Sequence, residues 1–333
     1  MDKTRRLTRC IALLLALVAL SAASARAAET DAPPEKDLIA ILKSNADGGA
    51  KGIACKQLAV HGTADAVPAL ATLLADPELA SWARIALEAI PGPAADEALR
   101  KGLSTLKGNL LIGDINSIGV RRDAAAVEPL VGHLKDTNAE VASAAAVALG
   151  QIGNAAATTA LRGALPAAPA GVRSAVAEGC ILCAEHRLAE GQDAQAAEIY
   201  DLVRSADLPK QRIIEATRGA ILARKAKGIP LLVEQLRSQD KGLFFIGLTT
   251  ARELHNQPVA DALASEVART SPERAIVLLS VLGDSGSPTV PPAVLEVMKS
   301  GPKEVRIAAI GAVGQLGDAA SLSTLLTLAA DDD

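Results

Sequence analysis

The sequence predicts an all-α chain built as a solenoid of helical hairpins, and three observations predict it. Half of the 333 residues are hydrophobic while aromatics make up 1%, so Ala, Leu, Val and Ile must form the core. That composition suits closely packed helices and suits half-buried strands poorly. Apolar residues also recur at helical spacing, with small residues between them, in "DPELASWARIALEAI" (76–90), "NAEVASAAAVALGQI" (138–152) and "PKEVRIAAIGAVGQL" (302–316). Finally, one turn pattern returns along the chain: "LAVHGTADAVPAL" (58–70), "LGQIGNAAATTAL" (149–161) and "VGQLGDAASLSTL" (313–325). Each joins an apolar helix end, a Gly, a short polar step and a new apolar helix. Gly is favoured just beyond a helix C-terminus because it lacks the Cβ that penalises the left-handed conformation.

The elements follow in order. "KTRRLTR" (3–9) is basic, "CIALLLALVAL" (10–20) is apolar, and "SAASARAAET" (21–30) supplies an A-x-A arrangement at Ala25 to Ala27. This order predicts a secretory signal peptide over 1–27, with a short linker at 28–34 and export to the periplasm or cell exterior. The apolar run is too short to span a membrane as a helix, and no comparable run follows, so no membrane span is expected. Loss of the leader would remove five basic residues (Lys3, Arg5, Arg6, Arg9, Arg26) and Asp2, taking the formal net charge from −4 to −8. A chain so acidic lacks the electrostatic footprint of a nucleic-acid binder.

From residue 35 onward, breaks fall near Gly62, Gly92, Gly119, Gly153, Gly191, Gly228, Asn256, Gly283 and Gly317, 27 to 38 residues apart. One helical hairpin per period over 35–333 gives about nine hairpins in one right-handed αα-superhelix. The last repeat is incomplete: "AASLSTLLTLAADDD" carries Leu322, Leu325, Leu326 and Leu328 but no second helix follows. Continuation of the chain, or docking of a partner at this C-terminal end, is expected.

These repeats resemble HEAT repeats, most clearly over 64–165 and 287–329, while "HRLAEGQDAQAAEIYDLV" (186–203) looks closer to a tetratricopeptide (TPR) hairpin. Segments such as "AEGCILCAEHRLAEG" and "SGPKEVRIAAIGAVGQLGD" resemble exported HEAT-repeat proteins of planctomycete-type bacteria. Some of those carry an added sugar-binding or 3-keto-disaccharide hydrolase domain, of which this sequence shows no trace.

No catalytic constellation, metal site or cofactor site is expected. "LGDSGSP" (282–288) is similar to the nucleophile stretch of trypsin-like proteases, yet Gly283 and Asp284 align with Gly317 and Asp318, which places Ser285 in an interhelical turn. A trypsin-like site also needs two β-barrels and an upstream His and Asp. In "CILCAEH" (180–186) haem attachment would need His where Ala184 stands, and steps of three residues rotate helix ligands apart. Alignment instead sets Cys180 and Cys183 on Leu149 and Ile152, as core residues. His61, His133, His186 and His255 are scattered over separate repeats.

The HEAT resemblance assigns charged residues a structural role. It implies a ladder between an Asp in the intrahairpin turn, fitted by Asp76 and Asp136, and an Arg early in the second helix, fitted by Arg173 and Arg306. The alternative for these four is ligand contact. Trp82 replaces Ala144 of the aligned repeat. It either fills the space between repeats or, with Arg84, anchors a partner. Two functions remain: a non-enzymatic, exported scaffold that holds a protein partner on a concave face lined by second helices, or an accessory subunit of a carbohydrate-processing or other envelope enzyme. A lyase-type enzyme like the HEAT-like bilin lyases belongs with the second.

Overall fold

A computed structural model describes residues 33–330. The expected leader, residues 28–32 of the linker and Asp331 to Asp333 lie outside the described residues. Within them there are nineteen α-helices and no strand: α1 Glu35–Lys43, α2 Gly48–His61, α3 Val67–Thr72, α4 Ala80–Ala89, α5 Pro93–Thr105, α6 Gly108–Arg121, α7 Val127–His133, α8 Ala139–Ile152, α9 Ala155–Ala164, α10 Ala170–Ala189, α11 Asp193–Arg204, α12 Lys210–Arg224, α13 Ile229–Arg237, α14 Lys241–Leu254, α15 Gln257–Val267, α16 Pro272–Gly283, α17 Pro292–Ser300, α18 Lys303–Leu316 and α19 Leu322–Ala329. Odd-numbered helices open a hairpin and even-numbered helices close it. The chain divides into two compact units within α7, between Pro129 and Leu130. In the first unit α2, α4 and α6 pack in a row; in the second, α8, α10, α12, α14, α16 and α18 do the same.

Both kinds of helix bury branched side chains, and second helices add runs of small ones. First helices supply branched ones, such as Leu70, Leu99 and Leu161, all fully buried. Each such Leu contributes about 1.5 to 3 kcal/mol by leaving water. Second helices supply Leu58, Leu87 and Leu149 as well, together with small residues: Ala80, Ala83 and Ala86 on α4, and Ala142, Ala145, Ala146 and Ala148 on α8. The extreme is the α8–α10 contact. A Cβ on Gly150 would stand 2.6 Å from the Gly179 Cα, and one on Gly179 would overlap the Ala146 carbonyl oxygen. The two backbones touch with no side chain between them.

Turns between hairpins follow the expected chemistry with substitutions. Gly153 and Gly317 end α8 and α18 in the left-handed conformation, at φ 63° and 68°. Near the expected breaks at Gly119, Gly228 and Asn256 the positive-φ residues are Arg122, Lys225 and His255, of which Arg122 and His255 are left-handed. At Arg122 the strain of positive φ is offset by a closed C-terminal turn, in which Asp123 N–H reaches the Ile118 carbonyl at 3.3 Å. The polar step after each turn is a cap. Thr63, Asp123, Asn154, Asn256 and Asp318 each accept a backbone N–H of the helical turn that follows. The TPR-like stretch is the end of the 20-residue α10, a turn at Gly191 and α11, so it spans the junction of two hairpins.

Ser285 lies in the turn after α16, as the alignment predicts. It is fully buried, its N–H bonded to the Leu282 carbonyl at 3.0 Å. Cys180 and Cys183 are equally buried and unbonded to each other. Burial pushes the Cys180 thiol up to about 12 and that of Cys55 to about 11. A thiol so shifted carries almost no thiolate near neutral pH, and the thiolate is the reactive form.

Gly179→Ala tests the backbone contact. Ala favours a free helix by about 1 kcal/mol over Gly, but the overlap with Ala146 costs about 1 to 3 kcal/mol. A lowered urea midpoint is expected; a raised one would show that α8 and α10 can separate freely.

Candidate functional site

The residues singled out in the sequence do not converge. Trp82 and Arg84 share α4 but face opposite neighbours. A Cβ on Gly52 of α2 would stand 3.5 Å from the indole Nε1, so the Trp82 ring lies over that glycine. It remains 42% exposed. The Arg84 guanidinium lies directly over Gly113 of α6, where any Cβ would overlap it.

Asp76 and Asp136 turn inward on their own loops. Asp76 accepts the N–H groups of Glu78 at 2.8 Å and Leu79 at 3.2 Å, and Asp136 accepts that of Asn138 at 2.8 Å. Arg173 reaches the turn of the next hairpin, 3.5 Å from the Asp207 carboxylate, and donates to the Ala168 carbonyl at 3.1 Å. Lys210 repeats that step on Asp240 at 2.5 Å. Arg306 lies in the first turn of α18 with its stem beside Gly301. The cross-repeat bonds with most partners belong to residues the sequence reading passed over. Arg121 donates to the carbonyls of Leu87 and Ile90 at 2.7 Å each, closing the C-terminal end of α4, and also pairs with Asp96. At the end of α8, Arg187 donates to the Gly153 carbonyl at 3.0 Å, and His186 lies 3.1 Å from that of Gln151. These side chains satisfy carbonyls that a helix end leaves free.

A polar recess lies on the second-helix row of the second unit, between α10, α12 and α14. It holds about 350 Å³ and is lined by Glu178, Glu185, Arg212, Glu215 and Arg218, with Tyr200 at its base. The heptad step from Glu178 to Glu185 puts both on one face of α10, and the triplet step Arg212, Glu215, Arg218 does the same on α12. Arg212 pairs with Glu178, and with Glu215 at 2.7 Å. Arg218 grips Glu253 of α14 through two bonds of 2.9 and 2.5 Å. The Tyr200 ring slides under Gly219, where a Cβ would overlap it. It is 3% exposed, and burial pushes its phenol up to about 12. No described residue hydrogen-bonds its hydroxyl, and Glu185 makes no ion pair within the described residues. Of the larger hollows, one of about 570 Å³ between α11 and the turn after α12 is also charged, lined by Asp193, Glu198, Arg224, Lys225 and Lys227. Another, of about 500 Å³ between α3 and α5, is lined mainly by Ala, Leu and Thr, its charges Glu97 and Lys101 paired at 3.0 Å.

The first unit holds one buried group without a partner. Asp114 of α6 is fully buried, and neither carboxylate oxygen has a hydrogen bond among the described residues. Burial raises it to about 7, against the opposing pull of Arg84. Nothing in its sequence neighbourhood, "LLIGDINSIG" (110–119), distinguishes it from a solvated helix residue.

The sequence profile of HEAT repeats matches residues 115–180 and 259–333. No protein of curated function matches the chain. Among solved structures, a chain of the Kap95p–RanGDP complex aligns with a TM-score of 0.53 at 13% identity, over 90% of this chain and 48% of that one. An engineered protein aligns at 0.41 and 19% identity over 90% and 95% of the two chains. The phycocyanin lyase complex of CpcE and CpcF from Nostoc sp. PCC7120 aligns at 0.35 and 18%, over 86% and 96%. The Kap95p likeness agrees with the helices in fold: this is an all-α solenoid, matched by the HEAT-repeat profile over 115–180 and 259–333. No described helix is long and apolar enough to cross a membrane.

Asp114 should make stability pH-dependent. Because its folded value lies above the ordinary 3.8, the folded state holds the proton more tightly, and stability falls as pH rises from about 4 to about 7. Asp114→Asn is expected to raise stability at pH 8 by about 1 to 3 kcal/mol and to flatten that slope. Urea unfolding across pH checks it; an unchanged slope would contradict it.

Proposed function

We propose that this chain is a non-enzymatic, exported scaffold that holds a protein partner on its second-helix faces. One observation carries the reading. Among the described residues, the large hydrophobic side chains left exposed lie on second helices, apart from Leu322 and Leu326 on α19: Ile53 and Val60 on α2, Trp82 and Ile85 on α4, Val120 on α6, Phe245 on α14, Val277 on α16, Ile307 and Ile310 on α18. Isolated exposed hydrophobes need no explanation, but their confinement to one kind of helix does. On α2 and α4 the steps from 53 to 60 and from 82 to 85 set them in stripes on adjacent helices, as a partner's apolar ridge requires.

Export is supported by the basic, apolar and small-residue order of residues 3–27. The absence of an independent activity is supported by thiols that are buried and shifted away from reactivity, and by a turn role for Ser285. Leu322 and Leu326, 56% and 63% exposed, support docking on α19 as well. The polar recess at Tyr200 favours, as a second reading, an accessory subunit of an envelope enzyme that presents its partner's substrate.

A photo-cross-linking residue placed at Ile85 or Phe245, compared with one at exposed Glu97 on α5, tests the reading in the native envelope. Discrete cross-linked proteins are expected from the second-helix sites only. Ile85→Asp should weaken their capture at least about tenfold, a cost near 1.4 kcal/mol. Equal cross-linking from position 97, or turnover by the isolated chain, would contradict it.

A further inference from the structure

We propose that the recess between α10, α12 and α14 receives a cationic side chain, lysine or arginine, of the protein partner. This rests on the scaffold reading and names the chemistry that one part of the surface would recognise.

The charge balance is the first argument. Four carboxylates, Glu178, Glu185, Glu215 and Glu253, surround two guanidinium groups, Arg212 and Arg218. Both cations are already engaged: Arg212 by Glu178, Glu215 and the Ser174 hydroxyl at 3.3 Å, Arg218 by the two oxygens of Glu253. An incoming anion would find no free donor and an excess of like charge. Glu185, which has no ion pair, would gain one from an incoming cation.

An acidic cluster alone would describe an ordinary solvated face. The second argument is Tyr200. Its side chain is almost wholly buried, yet its hydroxyl meets no described protein group and opens on the recess beside Glu185. The hydroxyl of a side chain so enclosed is the part that meets the recess, and its oxygen can accept an N–H from an incoming cation. Glu185 and Tyr200 therefore both offer an acceptor to an incoming donor.

Shape supplies the third. The recess is walled by Leu182 and Ile214, with Ile246 from α14, and its volume of about 350 Å³ lies at the small end for ligand sites. Lysine and arginine combine a charged head with an aliphatic stem that packs on apolar surface. One such side chain fits within this space with its head at Glu185 and its stem along the aliphatic wall.

Tyr200 is the single tyrosine of the chain. The purified protein labelled with 3-fluorotyrosine therefore gives one fluorine resonance at the site. Titration with N-acetyl-arginine methylamide is expected to shift that resonance saturably, while the N-acetyl-glutamate and N-acetyl-norleucine methylamides leave it in place. Glu185→Gln, at an exposed position whose loss leaves the core intact, should weaken the arginine probe severalfold. No saturable shift with the arginine probe, an equal response to the glutamate or norleucine probe, or undiminished binding by E185Q would overturn the assignment. Such a failure leaves the cross-linking result untouched. Absence of any cross-linked protein would instead remove the scaffold reading while the titration still reports on the recess.

Discussion

The contact between the backbones of α8 and α10 at Gly150 and Gly179 sets the terms for the rest of the second unit. Helices that approach this closely gain dispersion contacts along their whole facing surface, and no branched side chain can enter between them. At this contact α8 and α10 turn Ala146, Gly150 and Gly179 toward one another. The first unit follows the same rule more loosely, with Ala83 and Ala86 of α4 buried and Ile85 exposed between them. In the proposed scaffold, the apolar residues of second helices left outside the core form the face offered to a partner.

Polar bonds between hairpins do a different task. The pairs Arg173–Asp207 and Arg252–Asp284 sit in water, and such pairs contribute about 1 kcal/mol or less each. Arg121 and Arg187 are more enclosed and close the carbonyl ends of the preceding second helix. They fix the register of one hairpin on the next, which packing between smooth Ala and Gly surfaces leaves underdetermined. Asp114 runs against this economy. A buried carboxylate with no partner destabilises the fold above neutral pH, and Arg84 reduces that cost without removing it.

The fold was legible because its signals are local. Helical spacing, small-residue composition and a repeated turn are properties of short windows, and the core role of Cys180 and Cys183 follows from register alone. The turns near Gly119, Gly228 and Asn256 fall one to three residues away, at Arg122, Lys225 and His255, because non-glycine residues take the positive φ there and no local signal marks them. Site residues were less legible for the same reason. The recess joins Glu185 to Tyr200 and Arg218 across three helices, and only the seven-residue step from Glu178 hinted at a shared face. Asp114 carries no sequence signal at all. Trp82 was visible as a lone aromatic, and the structure leaves it both resting on Gly52 and partly open to solvent.

If close small-residue packing is what the second unit depends on, its stability should be graded around that contact, since each hairpin in a solenoid draws stability from its neighbours. Native-state hydrogen exchange of the purified chain measures this directly. The account predicts that the amides of α8 and α10 exchange most slowly in the unit, while those of α19, in which no residue is buried, exchange first. Exchange of α8 and α10 as fast as α19, with the slowest amides in another pair of helices, would contradict it.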